Sequence, residues 1–386
     1  MGEARGRERH VEIAGGGLSG LTAAAAFARA GWSVRVHERG DQLREIGAGI
    51  FMWENGLRVL EAIDAYDQAV AGGEQDEYWE IRDERDRLLQ SGWMMRGARL
   101  YTILRTSLHQ ALADAARRAG AEIVTGSWVV GATPDGEVQL GDGTRHRADL
   151  IVGADGIGSR VRDANGLATA VVDLRDGCGR YLIDRRPDDV RNKSLEYWNG
   201  GRRVGVVPAS PDKVYLYLCC PEDDVAGRRS PSDPGFHDDW IATFPGLRGY
   251  IERVTDNGRW ASFGDVSTRS WSAGRVAIVG DAAHAMAPNL GQGACVAMQT
   301  ALALAQHVAD AADVPAALAR WEAQQRPVAE ATQRFSRLYG RIGTRWPRPL
   351  LDARSALVWG IGRSSALQRR INVAAHADVT RAAAAA

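Results

Sequence analysis

Lysine is nearly absent from this 386-residue chain: Lys193 and Lys213 are the only two, and arginine carries the rest of the positive charge. Basic and acidic residues number 48 each, so the net charge is zero. That balance gives no electrostatic reason to bind nucleic acid or an anionic membrane surface. No apolar run approaches the roughly 18 residues that a membrane-spanning helix needs. The first ten residues are charged and the apolar run after them is broken by glycines, so no signal peptide is expected. Cysteine is scarce too. Cys178, Cys219, Cys220 and Cys295 have neither metal-ligand nor redox spacing and read as free buried thiols. Cys219 and Cys220 are adjacent on an expected strand, so their side chains should face opposite sides. What remains is a cytoplasmic protein of about two domains, with 45% hydrophobic content for its core.

Glycine is plentiful, at 44 residues, and its placement is informative. Gly15-x-Gly17-x-x-Gly20 follows a short apolar run and precedes an alanine-rich helical stretch over 21–30. A second apolar strand, 33–37, ends at Glu38. The spacing alone is a weak signal. The order strand, glycine turn, helix, strand, acid is that of a dinucleotide site. The first glycine allows the turn, the second lets the backbone approach a pyrophosphate, and the third lets helix and strand pack. The helix N-terminus directs free N–H groups at the phosphates. Glu38 sits where a carboxylate can take ribose hydroxyls.

Two later segments decide which dinucleotide it is. One is Asp155-Gly156, directly after an apolar strand over 150–152. The other runs Gly280-Asp281-Ala-Ala-His284 and on through Pro288, Gly291 and Gly293. A flavin dinucleotide is long and extended and needs contacts from several separate segments. On these residues, across about 8–340, the chain resembles the group A FAD-dependent aromatic monooxygenases, the single-component flavoprotein hydroxylases. The resemblance implies an α/β fold: a Rossmann-type FAD-binding domain interleaved with a β-sheet substrate domain, then C-terminal helices. By that reading 1–75, 97–170 and 263–345 bind FAD, and 76–96 with 171–262 bind substrate. Residues 346–386 form a C-terminal helical segment and a tail without functional signal. Helices are expected over 105–119, 294–311 and 314–339, the last kinked at Pro327, with a hairpin turn at Gly141-Asp142-Gly143.

The resemblance further implies FAD contacts from Gly15, Gly17, Leu18, Ser19, Gly20, Glu38, Arg39, Arg44, Gly49, Arg105, Val129, Asp155, Gly156, Asp281, Pro288, Gly291, Gln292, Gly293 and Ala294. Asp155-Gly156 also matches a motif the family uses toward NADH or NADPH. A plain alternative for Asp155 is a structural carboxylate capping the next turn. The turn from Pro288 to Gly293 opens the helix after it, whose N-terminus would favour the negative charge of reduced flavin. Where the family has a second proline stands Ala287, and where it has Glu-Asp stand Gln299 and Thr300. His284 reads as packing below the flavin in preference to proton transfer.

The implied chemistry is hydride transfer from NADH or NADPH to FAD, then reaction with O2 to a C4a-hydroperoxide that hydroxylates an electron-rich ring. No nucleophile triad or metal is needed for it, and no second glycine fingerprint is present, as in the family. The run from Gly47 to Glu61, with Trp321 and Arg326-Pro327, looks closest to the branch of 2-methyl-3-hydroxypyridine-5-carboxylate and 5-pyridoxate oxygenases. That branch implies Arg203 and Tyr215 as substrate-binding residues, with Trp79 near a third position. Tyr217 shares a strand face with Tyr215. An arginine could take a carboxylate bidentately, and the aromatics could stack on a ring. The expected substrate is a hydroxylated aromatic or N-heteroaromatic acid, oxygenated with or without ring opening, by a monomer or homodimer. Alternatives are a hydroxylase of another phenolic intermediate and a non-catalytic FAD-binding sensor. A flavin-dependent halogenase is disfavoured, because no Trp-x-Trp-x-Ile run is present.

Overall fold

The computed structural model describes residues 9–43, 48–93 and 98–378. A six-stranded sheet forms the first layer: β1 (His10–Ala14), β2 (Ser33–His37), β8 (Glu122–Val124), β12 (Leu150–Gly153), β18 (Ser272–Ala273) and β19 (Val276–Ile278). Their order is β18-β19-β12-β1-β2-β8, and every neighbouring pair is parallel except β18–β19. β12 and β19 are buried along their whole lengths, which is why they read as unbroken apolar runs. α1 (Leu18–Arg29) crosses from β1 to β2 and is flanked by α4 (Arg105–Arg118) and α9 (Gly293–Val308). Ala23, Ala24 and Ala25 are fully buried there, so small side chains let three helices approach closely.

Two small sheets attach to this layer. One joins β3 (Gly49–Trp53), β7 (Leu100–Leu104) and β4 (Glu74–Gln75), with α2 (Glu54–Ala62) and α3 (Tyr66–Val70) alongside. The other joins β9 (Val129–Thr133), β10 (Glu137–Leu140) and β11 (Arg145–Arg147), with α5 (Arg160–Ala164) packed on β9. The expected turn at 141–143 does connect β10 to β11, with Gly143 at φ +88°.

The second large sheet has seven strands. They are β17 (Arg259–Thr268), β13 (Ala168–Asp184), β16 (Lys213–Pro221), β15 (Arg202–Ser210), β14 (Lys193–Asn199), β5 (Tyr78–Arg82) and β6 (Leu88–Trp93), in that order. All pairs are antiparallel except β14–β5, where the two sequence segments meet. Alternation gives this sheet two faces. Tyr181, Val204, Val206, Leu216, Leu218 and Cys220 pack on α6 (Phe236–Thr243) and α7 (Arg248–Ile251) through Phe236, Trp240 and Ile251. The opposite residues, Cys178, Arg180, Arg203, Tyr215, Tyr217 and Cys219, face a cavity. Cys219 and Cys220 therefore point to opposite sides.

α8 (Asp281–His284) follows β19, and α10 (Val314–Thr344) runs from the first layer to the second sheet, continuing through Pro327. α11 (Leu351–Arg363) then packs on β6, and α12 (Ser365–Ile371) follows it. The helical segment expected over 346–386 is present as α11 and α12, and both supply walls of the cavity. The anchor is polar more than apolar, which hid it from the hydropathy pattern. Fully buried Arg354 donates to the Gly200 carbonyl at 2.8 Å and pairs with Glu84 at 3.1 Å, while the Ser355 hydroxyl donates to Asp83 at 2.8 Å. Among the described residues no helix is long and apolar enough to cross a membrane.

Candidate active site

A cavity of about 1190 Å³ lies between the first layer, the inner face of the seven-stranded sheet and the C-terminal helices. Its floor at one end is the glycine turn after β1. A Cβ on Gly15, at φ +103°, would stand 2.4 Å from the Ala154 carbonyl oxygen, and one on Gly20 would stand 2.0 Å from that of Gly15. A Cβ on Gly17 would meet nothing. The outer two glycines thus close the turn, and the middle one leaves open floor. Gly17, Leu18 and Ser19 line the cavity, and α1 starts there with no side-chain cap and no acid in its first turn. Its unsatisfied N–H groups and dipole favour an anion. At the end of β2, Glu38 accepts N–H bonds from Gly16 at 2.9 Å and Gly40 at 2.8 Å, which holds it beside the turn. Arg39 next to it is exposed and does not line the cavity. Arg44 and Gly47 lie outside the described residues.

A second cradle faces the first. Gly280 adopts φ 60°, ψ −140°, and a Cβ there would sit 2.5 Å from the Ser19 hydroxyl oxygen. This turn brings Asp281 to the cavity at the start of α8. Pro288 to Leu290 form a single 3-10 turn, Gly291 is left-handed at φ +62°, and α9 starts after Gln292 with neither side-chain cap nor first-turn acid. Pro288, Gly291, Gly293 and Ala294 all line the cavity. Beside them the Trp53 indole N–H is buried without a hydrogen-bond partner. Arg105 and Gly156 line the same space. Two uncapped helix N-termini, a glycine floor, the Asp281 carboxylate and an unpartnered donor suit an extended dinucleotide, with Glu38 held behind the first turn outside the cavity lining, and FAD fits this donor set.

Other expected cofactor residues stand back. The Asp155 carboxylate accepts the N–H groups of Arg160 at 2.7 Å and Val161 at 3.2 Å, which caps α5, and it does not line the cavity. Val129 is buried in β9, and Gln292 is buried with its carbonyl oxygen accepting from Asn55 at 3.3 Å. Gly49 lines the cavity for a packing reason: a Cβ there would lie 2.7 Å from the Tyr215 ring. His284 is 3% exposed, contacts Thr300 at 3.3 Å and lies outside the cavity wall. Burial pushes its pKa down to about 4, so it stays neutral near pH 7.

The four expected substrate residues, Trp79, Arg203, Tyr215 and Tyr217, all line the cavity. Tyr215 and Tyr217 have ring centroids 5.7 Å apart. Their chemistry is less simple than the sequence suggests. Arg203 is 1% exposed and already paired: it donates to Glu196 at 3.2 Å and to the Asn289 side-chain carbonyl at 2.5 Å. Glu196 also accepts from the hydroxyls of Tyr217 at 2.8 Å and Tyr339 at 3.2 Å. Burial, reinforced by the Glu196 charge, raises the Tyr217 hydroxyl well above its usual pKa, which keeps it a donor. Arg203 therefore stabilises Glu196 in the wall through its NH groups, while its buried Nε has no hydrogen-bond partner.

Sequence reasoning missed Arg180, a cation on the cavity face of the sheet; Arg105 and Arg259 line the cavity too. Among the described residues no carboxylate pairs with Arg180; its polar neighbours are Tyr215, Cys178 and Cys219. Its guanidinium lies 5.8 Å from the centroid of Phe263, another cavity residue. The available signal was alternation: Cys178, Arg180 and Leu182 line the cavity, whereas Tyr181 and Ile183 face α6 and α7. Glu196, Tyr339 and Phe263 carried no comparable local signal.

Comparison with known proteins agrees with this geometry. The family described as FAD binding domain matches residues 8–336. A Rhodococcus erythropolis protein carrying the name 2-heptyl-3-hydroxy-4(1H)-quinolone synthase is 40% identical over 362 residues, 92% of this chain and 93% of its own. The 2-heptyl-3-hydroxy-4(1H)-quinolone synthase of Mycobacteroides abscessus is 37% identical over 377 residues, 94% of this chain and 97% of its own. Among solved structures, the tetrameric form of 2-methyl-3-hydroxypyridine-5-carboxylic acid oxygenase superposes with a TM-score of 0.86 at 33% identity, covering 97% of this chain and 98% of that one.

Proposed function

We propose that this chain, which belongs to the FAD binding domain family and is an FAD-dependent monooxygenase of the aromatic hydroxylase type, hydroxylates the ring of a 2-alkyl-4(1H)-quinolone at carbon 3. One oxygen of O2 enters the ring and the other leaves as water, at the expense of NADH or NADPH. The names of the two synthases support the ring. The observation that carries the reading is the state of the two arginines: Arg203 is neutralised by Glu196, while Arg180 faces the cavity beside Tyr215 and Phe263. A guanidinium set between two aromatic rings suits a ring oxygen, which can accept a charge-assisted hydrogen bond.

FAD, when bound, supplies the two-electron reduction and the oxygen activation. The protein's residues bind and orient. Gly17, Ser19 and the N-terminus of α1 would hold the pyrophosphate, and Glu38 and Asp281 would accept hydrogen bonds from the cofactor's hydroxyls. The α9 N-terminus at Gly293 would favour negative charge on the reduced cofactor. Arg180 and the Tyr215 hydroxyl hold the substrate oxygen, and Phe263 and Tyr217 confine the ring plane. α10, α11 and α12 exclude water, which keeps the reducing equivalents from being lost to hydrogen peroxide.

A second reading, a pyridine carboxylate as in the superposed oxygenase, is favoured by the same charge on Arg180. Stopped-flow flavin reduction and oxygen uptake, with NADH and NADPH, separate the two. Quinolones that speed reduction and gain one oxygen support the first. Stimulation by hydroxypyridine carboxylates alone supports the second, and product mass then distinguishes hydroxylation from ring opening. If neither class changes reduction, the substrate assignment fails.

A further inference from the structure

The cavity does not stop at the ring-sized chamber beside Arg180. It continues past Glu196 and Tyr339 to the far edge of the seven-stranded sheet, beneath α10 and α11. The side chains lining this arm include Trp79 and Ile81 on β5, Trp198 on β14, Ile342 on α10, and Val358 and Ile361 on α11. All but Ile361 belong to a small apolar cluster separate from the two large cores. The arm therefore interrupts an apolar cluster, and its inner surface is hydrocarbon. Neutral amides line its far end: Gln90, Gln368 and Asn372, with the Gln90 side-chain N–H donating to the Val358 carbonyl at 2.9 Å. A Cβ on Gly362 would stand 2.7 Å from Gln90, so α11 lies directly on β6 at this point. With Arg354 and Ser355 also bonded inward, α11 is a fixed roof.

Neither the cofactor nor the oxygenated ring needs such a space. Both are served by the glycine cradles and by the wall at Arg180, and a hydrocarbon arm with no open charge offers them nothing. Building on the quinolone reading above, we propose that the arm under α11 binds the unbranched alkyl tail of the substrate and so sets chain-length specificity. The tail must be apolar, because the two acidic residues among the arm's described walls are both already occupied: Glu196 at the neck by Arg203, Tyr217 and Tyr339, and Glu80 by Arg82 and Lys193. It must also be thin, since the indoles of Trp79 and Trp198 and the ring of Tyr339 bound it.

Burying one methylene strengthens binding by about fourfold. The test is the dissociation constant of the oxidised holoenzyme, read from the flavin absorbance change, for 4(1H)-quinolones with 2-methyl to 2-nonyl substituents. A parallel series of 4-alkylphenols probes the arm without the quinolone ring. The expected result is a fall of about fourfold per methylene, levelling where the arm is full. Ile361→Trp and, from the facing wall, Ile342→Trp should each weaken the 2-heptyl compound at least about tenfold more than the 2-methyl compound. Two variants guard against one that misfolds, and FAD content is measured for both. Equal affinity for short and long members of both series overturns the proposal. So does equal weakening of the 2-methyl and 2-heptyl compounds by both substitutions. A slope among the phenols with no response to any quinolone keeps the arm and removes the quinolone reading instead.

Discussion

Arg180 and Arg203 show how far one residue type can mean two things. Both lie on the cavity face of the sheet, yet only one has a carboxylate within reach. Removing a donor to a charged or ring oxygen costs about 1.5–3 kcal/mol. Arg180→Met is therefore expected to raise the substrate concentration giving half-maximal flavin reduction by roughly ten- to a hundredfold, with FAD retained; an unchanged value removes Arg180 from substrate binding. Arg203→Met should act on stability instead. It leaves Glu196 without its cation in a site where the side chain is 12% exposed, and breaking a buried pair costs about 3 kcal/mol or more. Urea unfolding of the two variants checks this: Arg203→Met should show the larger loss. Gly343 marks the same structural role, since a Cβ there would stand 2.8 Å from the Arg203 side chain.

At the scale of elements, the turns matter more than the helices they join. Gly280 links β19 to α8 in a conformation that only glycine adopts readily, and it has no room for a methyl group against Ser19. Gly280→Ala should cost on the order of 1–3 kcal/mol. It should also displace Ser19 and Asp281 together, so purified protein is expected to carry less FAD, measured by the ratio of flavin to protein absorbance. Full occupancy would show that this turn does not position the cofactor. Elements differ in how readable they were. β1, α1, α4 and α9 stood out because continuous burial or alanine-rich packing leaves a local pattern. β13 did not: it runs 17 residues with two register shifts against β17, and its cavity-facing residues mix cysteine, arginine and leucine. α11 was expected as part of a C-terminal helical segment, but its role as a cavity wall was not legible, because its anchors Arg354 and Ser355 are buried polar residues.

For the whole molecule, one buried histidine couples stability to pH. His284 has a folded pKa near 4 against an ordinary 6.5, so the unfolded chain takes up its proton first as the pH falls. The stabilisation is complete above pH 6.5 and is lost progressively down to pH 4. Between pH 7.5 and 5 the loss from this residue is about 2 kcal/mol. His284→Gln should lose correspondingly less over that interval in urea unfolding, and equal losses would show that His284 does not titrate on unfolding.

The sequence by itself determined the cofactor end of this protein. Its glycine turns and the helices they open are set by backbone sterics within a few residues, so Gly15, Gly17 and Gly20 stand out without any coordinates; Glu38 was reached through the strand after that helix, and Asp281 through family resemblance. It also placed Arg203, Tyr215, Tyr217 and Trp79 on the cavity wall through strand alternation and family resemblance. Only the tertiary structure decided what those side chains are free to do. Glu196 reaches Arg203 from a neighbouring strand, Tyr339 arrives from α10, and α11 roofs the arm from nearly 270 residues beyond β6, as the Gln90–Val358 bond records. Charge pairing and enclosure depend on which groups meet across the fold, and no local pattern encodes that.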